Sequence, residues 1–223
     1  RYNKEYKIKI SEENSMDIAT ILTFLSAAII LTLMPGPDIL FVIAQSISQH
    51  QRAGIITALG LCTGLLVHIT AAALGISAIL YQSATAFTII KLAGACYLLY
   101  LAWQSFRSRY ETTFIKKQQP LEMGALYKRG IIMNVLNPKV SLFFLALLPQ
   151  FVNETLGNVP FQMVILGVVF IVQALIIFTI VSFLAEKIKN LLAKRAAISK
   201  NMNIVQAVLF TLIAMQIAFS KQS

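Results

Sequence analysis

The sequence predicts an all-α integral membrane protein with six transmembrane helices, and composition and apolar run length lead to this class. Apolar residues make up 57% of the 223 positions and charged residues only 13%, with a mean hydropathy of +0.74. A soluble domain carries about 25% charged residues. Six apolar runs reach the roughly 20 residues that a helix needs to cross a hydrocarbon core of about 30 Å. The short connections leave too little chain for a separate aqueous domain, so a soluble helical protein is disfavoured.

The six predicted spans lie near residues 18–47, 54–80, 84–106, 130–151, 160–185 and 203–220. The first and the fourth contain proline inside the apolar run, and these two are predicted to be broken helices. Together the spans make residues 16–223 one six-helix transporter domain. Residues 1–15 (RYNKEYKIKISEENS) lack the apolar core of a signal peptide. We interpret them as a disordered leader or a non-native extension.

The distribution of basic residues predicts the orientation of the spans. The connections 48–53, 107–129 and 186–202 carry one, six and five Lys or Arg residues, whereas 81–83 and 152–159 carry none. Because Lys and Arg are retained on the cytoplasmic side, both termini are predicted to lie outside. The net charge of +10 therefore reflects membrane topology, and no nucleic-acid partner is expected.

The first span contains both a helix breaker and a charge. The stretch LMPGPDILF places Pro35, Gly36, Pro37 and Asp38 inside an apolar run. Proline lacks an amide donor, and carbonyls left unpaired in lipid are costly unless protein or water in a cavity satisfies them. A charge inside the membrane costs roughly 2.5–3.5 kcal/mol on insertion scales. Both features in one tetrapeptide predict a polar cavity.

The fourth span carries a matching interruption at Asn137, Pro138 and Lys139. Alignment of its proline with Pro37 places Lys139 opposite Asp38. Three spans in each half mean that the halves enter the membrane from opposite sides, as in transporters built from inverted repeats. The sequence therefore predicts two inverted three-helix repeats, each beginning with a broken helix.

The two charges are predicted to lie at the same depth. Asp38 is ten residues before Ser48, where the first cytoplasmic connection begins, and Lys139 is ten residues after Arg129, which ends the central one. At 1.5 Å per residue, each charge lies about 15 Å from the cytoplasmic boundary, which is near the middle of the bilayer.

Broken helices can bind both ends of a zwitterion. The N-terminus of a half-helix offers amide groups to a carboxylate, and a half-helix C-terminus offers carbonyls to a cation. An amino acid has both groups. The alternative, that Asp38 and Lys139 only pair with each other as a structural contact, stays open from the sequence.

The same residues carry a family resemblance. PGPD at 35–38, GACYLLYLAW at 94–103 and RGIIMNVLNPKVSLFFLALLPQF at 129–151 resemble the lysine-exporter and homoserine/threonine-exporter (LysE/RhtB) efflux proteins. The resemblance runs from about Met16 to Phe219. It implies a six-span inner-membrane exporter of amino acids or small derivatives that is driven by the proton gradient. The positions that match the family signature are Pro35, Gly36, Pro37, Asp38, Asn137, Pro138 and Lys139.

Other polar or small residues inside the spans are secondary candidates. Gly60 and Gly64 form a GxxxG pattern that permits close helix contact. His68 shares the face of Gly64 and either borders the cavity or is a satisfied buried histidine, the reading we favour. Gln150 and Gln173 are further candidates for the lining of a polar path.

The rival transport class is a cation or metal-ion exporter of the same architecture. Metal sites need clustered oxygen, Cys or His ligands, and the chain has two histidines and two cysteines without ligand spacing. The phosphate-binding pattern GxxxxGK[ST] is missing, which disfavours ATP chemistry. No histidine-rich cluster or Ser–His–Asp candidate set appears in the loops, so neither an enzyme nor a cofactor is expected. The expected partners are an amino acid, protons and the lipid bilayer. The sequence leaves a homo-oligomer open.

Overall fold

A computed structural model describes residues 17–34, 36–76, 84–107 and 120–187, together with positions 208, 211, 212, 214 and 215. This part of the chain is helical and contains no β-strand. Its longer helices, in chain order, are α1 (Ile18–Leu33), α2 (Pro37–Ser48), α3 (Gln51–Ala71), α4 (Ala84–Arg107), α5 (Met123–Val135), α6 (Pro138–Leu142) and α7 (Val159–Lys187). A π-helical turn, Ala72–Ile76, extends α3, and α6 continues through a π-helical segment, Phe143–Leu147, and a 3-10 segment, Leu148–Phe151.

Two helices in the described part are long and apolar enough to cross a membrane, namely Gln51–Gly75 and Val159–Ala185. Up to four such spans are present if each of two bent pairs is one span. The axes of α1 and α2 differ by 56°, and those of α5 and the segment Pro138–Phe151 by 47°. Both bends fall where proline interrupts the apolar run. The described part therefore confirms a helical architecture with apolar helices long enough to span a membrane, whereas six spans and an inverted repeat stay predictions.

The observed helix boundaries differ from the predicted spans mainly at α5. This helix begins at Met123, whereas the fourth apolar run was predicted to begin near residue 130. The residues between them include Lys128 and Arg129, which are good helix formers although they are not apolar. The start of the apolar run predicts where α5 enters the lipid, and the helix itself begins several residues before that point. The leader at 1–15 lies outside the described residues, as does nearly all of the sixth predicted span.

Both broken helices restart at proline. Pro37 and Pro138 occupy the first helical position of α2 and α6, where the missing amide hydrogen is not needed. Asn137 caps α6, because its Oδ1 accepts a hydrogen bond of 3.0 Å from the amide of Lys139. The local sequence therefore ends one helix and begins the next within a few residues.

Glycines bring α3 and α5 into close contact. A Cβ atom on Gly60 would overlap the backbone carbonyl of Tyr127, and one on Gly130 would lie 2.6 Å from the carbonyl oxygen of Thr57. On Gly64 it would lie 2.8 Å from the Cβ of Asn134. The predicted close helix contact at the GxxxG pattern is confirmed, and it places Asn134 against α3.

Aromatic rings fill the space beside the second break. Phe143 and Phe144 follow α6, and their ring centroids lie 5.1 and 5.2 Å from that of Phe170 on α7. Phe24 of α1 joins this cluster at 5.8 Å from Phe143. Such tilted ring contacts are favourable beyond the area that they bury. On its opposite side, α7 exposes a row of apolar residues suited to lipid, namely Phe161, Val164, Val168, Val172, Ile176, Ile180 and Leu184.

Candidate functional site

A small cavity lies where the two breaks meet α3, α5 and α7. Its volume is about 20 Å³, comparable to the space that a single water molecule needs. The wall combines four polar residues with an apolar surface. The residues that line it are Leu31, Thr32, Asp38, Leu65, Asn134, Lys139, Val140, Phe170, Ala174 and Phe178.

Lys139 reaches from the second break to the first. Its Nζ donates to the carbonyl oxygen of Leu31 at 3.0 Å and to that of Met34 at 3.2 Å. In a continuous helix the carbonyl of Leu31 would accept from residue 35, but a proline has no amide hydrogen. The ammonium therefore satisfies backbone groups at the C-terminus of α1, where the helix dipole also favours positive charge.

Gly36 leaves the space that the ammonium occupies. A Cβ atom at this position would lie 3.1 Å from Nζ and 3.5 Å from Cε of Lys139. The backbone of Gly36 is extended, a conformation open to any residue. The glycine therefore matters here because it lacks a side chain.

Asp38 is buried in the first turn of α2, with 4% of its surface exposed. Its Oδ2 accepts a hydrogen bond of 3.1 Å from Nδ2 of Asn134. Its Oδ1 is buried and has no hydrogen-bond partner. The dipole at the N-terminus of α2 favours a carboxylate here, and one of its oxygens stays available to a ligand.

Asp38 and Lys139 line the same cavity without forming an ion pair. Throughout the described part of the chain, no carboxylate oxygen lies within 4.0 Å of Nζ of Lys139. The two side chains still interact electrostatically across the cavity. The purely structural pair considered from the sequence is therefore not what this conformation contains.

Thr32 and Asn134 also line the cavity, and the sequence reasoning did not select them. Both are buried, with 5% and 2% of their surfaces exposed. Asn134 Oδ1 has no partner, and neither does Nδ2 of the nearby Asn137. Thr32 and Asn134 each lie one residue before the end of the helix that precedes a break, and a polar side chain at that place was the available signal, because polar groups inside a span are costly without a role.

The remaining sequence candidates do not line this cavity. His68 is buried, hydrogen-bonded through Nε2 to the backbone carbonyl of Asn134 at 3.1 Å, and stacked on Phe144. Gln150 donates to the carbonyl of Ala146 within its own helical segment. Gln173 donates to the hydroxyl of Thr32 at 2.9 Å, and this hydrogen bond helps to hold Thr32 in the cavity wall.

Six of the seven signature positions lie in the described part of the chain. Gly36 and Pro37 lie at the first break, and Asn137 and Pro138 lie at the second. The two charged residues, Asp38 and Lys139, line the cavity between the two breaks. Pro35 lies outside the described residues.

Comparison with known proteins identifies a matching family model and several similar proteins. The family model for the LysE type translocator matches residues 29–221. The chain is 34% identical to the homoserine/homoserine lactone efflux protein of Salmonella typhimurium, over 74% of this chain and 80% of that protein. It is 34% identical to an uncharacterized membrane protein of Vibrio cholerae, over 77% and 83% of the two chains. A protein of Bacillus subtilis, also an uncharacterized membrane protein, is 31% identical over 77% and 85%. No solved structure matches the chain at a significant level.

Proposed function

Because the chain belongs to the LysE type translocator family, we propose that it exports an amino acid or a small amino-acid derivative across the bacterial inner membrane. The observation that carries this proposal is the cavity between the two breaks, where an unpaired carboxylate oxygen and a carbonyl-held ammonium face the same space. The efflux proteins of Salmonella that the chain resembles are named for homoserine and homoserine lactone. The substrate of this chain is proposed to belong to the same chemical class.

The zwitterion is proposed to lie between the two charges after the cavity, which has room for about one water molecule in this conformation, has widened. Asp38 Oδ1 accepts from the substrate ammonium, and Lys139 donates to the substrate carboxylate. A lysine ammonium has three N–H groups, and carbonyls take two of those of Lys139. The third is therefore available, and the carbonyls hold it in place.

Proton antiport is proposed to use the same carboxylate. A proton and a substrate ammonium both neutralise Asp38, so they compete for one oxygen. If the carrier changes its orientation only with this charge neutralised, each substrate molecule that leaves is replaced by a proton. This arrangement needs no titrating group besides Asp38.

The proposed architecture is six spans in two inverted repeats, formed by residues 16–223. Support comes from the likeness of the two breaks, since each places a proline at the first position of a new helix and a charged residue directly after it. Both charges then face one cavity. The accessibility of cysteines placed in the connections tests the predicted topology.

A cation or metal-ion exporter is the alternative, and the cavity does not favour it. A bound metal ion would meet a single carboxylate and, across the cavity, the ammonium of Lys139. Hard cations prefer several oxygen ligands, and a neighbouring positive charge repels them. An organic zwitterion fits both charges.

Counterflow in proteoliposomes tests the proposed function. Vesicles that contain the purified protein and unlabelled amino acids are diluted into a mixture of labelled amino acids. We expect transient accumulation of one or a few of them, and faster efflux when an imposed pH gradient supplies protons for exchange. Absence of counterflow for every amino acid, together with metal-dependent exchange in the same vesicles, would favour the alternative.

A further inference from the structure

Asn134 is held in the cavity wall by contacts on two sides. Its Nδ2 donates to Asp38 Oδ2 at 3.1 Å, and its backbone carbonyl accepts from Nε2 of His68 at 3.1 Å. A carbonyl only accepts, so the histidine must donate from this nitrogen. These contacts fix both the backbone and the side chain of Asn134 within a wall that is otherwise largely apolar.

The orientation of the amide follows from the carboxylate. An ionised Asp38 accepts hydrogen bonds and donates none, so Asn134 must turn Nδ2 toward it. Its Oδ1 then points away from Asp38 and has no partner, although the residue is only 2% exposed. A buried acceptor without a partner is costly, and such groups in native proteins call for an explanation.

Gly64 leaves the space that this acceptor occupies. A Cβ atom on Gly64 would lie 2.9 Å from Asn134 Oδ1. The neighbouring Leu65 lines the cavity, as Asn134 itself does. The unpartnered acceptor therefore belongs to a residue of the cavity wall and lies against α3 where that helix has no side chain.

We infer that Asn134 is a second ligand of the substrate ammonium, alongside Asp38. A primary ammonium has three N–H groups, of which one binds Asp38 Oδ1 and another Asn134 Oδ1. This inference rests on the proposed function, because it assigns a new binding residue to the same site. It also specifies the ligand chemistry, since the cavity selects a charged nitrogen with at least two N–H groups.

The test measures binding by ligand-induced stabilisation of the purified full-length chain in detergent. A panel of the common amino acids and homoserine identifies the tightest ligand, which is compared with its N,N-dimethyl derivative. The derivative keeps the positive charge but has one N–H, so it can bind Asp38 only. We expect Asn134→Ala to weaken binding of the parent amino acid about tenfold, the effect of a lost hydrogen bond to a charged group. Binding of the dimethyl derivative should change by less than about twofold.

Two outcomes distinguish failure of the inference from failure of the proposed function. Equal weakening of both ligands would show that Asn134 acts only by orienting Asp38, which overturns the inference and leaves the proposed function standing. If no amino acid stabilises the wild type, the proposed function fails and the inference fails with it. Asn134→Ser provides a second variant if the alanine variant does not fold, and we expect the same selective loss. Thr57→Val, which removes a buried hydroxyl that bonds only within α3, should leave both affinities unchanged.

Discussion

At the scale of single residues, Lys139 connects the two halves of the site. It belongs to the second break, yet its ammonium binds carbonyls at the first, in the space that Gly36 leaves open. Asp38, which faces the same cavity, keeps one oxygen unpaired. Neither charge neutralises the other by direct contact, which supports the proposal that each binds the opposite charge of a substrate.

Replacement of Lys139 should separate folding from transport. Lys139→Met keeps the length of the side chain but has no charge, so we expect the protein to insert and fold yet fail to export. Lys139→Arg should be partly active at best, because a planar guanidinium is larger than the space beside Gly36 and differs from an ammonium in shape. Efflux assays at equal membrane abundance provide the measurement. Normal efflux from Lys139→Met would return this residue to a structural role.

Replacement of Asp38 should distinguish coupling from substrate binding. Asp38→Asn keeps the shape but removes the charge. If Asp38 carries only the coupling proton, this variant retains exchange at symmetric pH and loses uphill efflux under an imposed gradient. If Asp38 also binds the substrate ammonium, as proposed, exchange and uphill efflux fall together. We expect loss of uphill efflux in either case, and wild-type uphill efflux would contradict the proposed antiport.

At the scale of secondary-structure elements, the breaks create binding groups that a continuous helix would not have. The missing amide of Pro35 frees the carbonyl of Leu31, and this carbonyl holds Lys139. Glycines act at a different contact, since they let α5 approach the backbone of α3. Proline therefore shapes the site, and glycine positions the helix that leads into the second break.

Removal of the first break should abolish export while it stabilises the helix. The double variant Pro35→Ala, Pro37→Ala restores two amide hydrogens, which can pair with preceding carbonyls. Each change favours a continuous helix by up to about 3 kcal/mol. We expect greater helical content by circular dichroism and no efflux. Pro160→Ala is the matched control, because Pro160 lies in the first turn of α7 away from the cavity and its replacement should leave efflux unchanged. Substantial efflux from the double variant would show that transport does not need the break.

The glycine contact can be tested with a matched pair. Gly60→Ala places a methyl group against the backbone of Tyr127, and such overpacking should lower the free energy of unfolding by about 1–3 kcal/mol. Gly124→Ala, where nothing lies within 4 Å of the added methyl group, should be neutral or stabilising by about 0.5 kcal/mol. Thermal unfolding in detergent measures both. Equal effects of the two changes would rule out the close contact between α3 and α5.

At the scale of the whole molecule, the described helices expose apolar residues and enclose a small polar centre. The exposed row on α7 is suited to contact with lipid, whereas the polar residues of the cavity are buried between the helices. This is the distribution expected when charged groups within a membrane serve transport. The orientation of the molecule in the membrane is predicted from the basic residues of the connections.

Cysteine accessibility tests this orientation. In a variant that lacks Cys62 and Cys96, single cysteines replace Gln82, Asn158 or Gln118. Those at positions 82 and 158 should react with an impermeant thiol reagent added to intact cells, because their connections carry no Lys or Arg. The cysteine at position 118 should react only after the membrane is permeabilised. Labelling of position 118 in intact cells would reverse the predicted topology.

The sequence by itself determined the class of the protein, the two breaks and the residues next to them. Apolar run length, proline and an isolated charge are local properties, and lipid makes each of them costly enough to be informative. The family resemblance rested on the same local motifs, and the family match confirms it.

Only the tertiary structure decided which groups meet. Lys139 and Leu31 are separated by 108 positions in the chain, and Asn134 and Asp38 by 96. No local periodicity can specify such contacts, because they depend on the angles at which the broken helices pack. The sequence left open whether Asp38 and Lys139 pair, and it predicted that freed carbonyls bind a cation without indicating that this cation is the ammonium of Lys139. The physical reason is that a proline shows which carbonyl loses its partner, whereas only the packed helices determine which side chain replaces that partner.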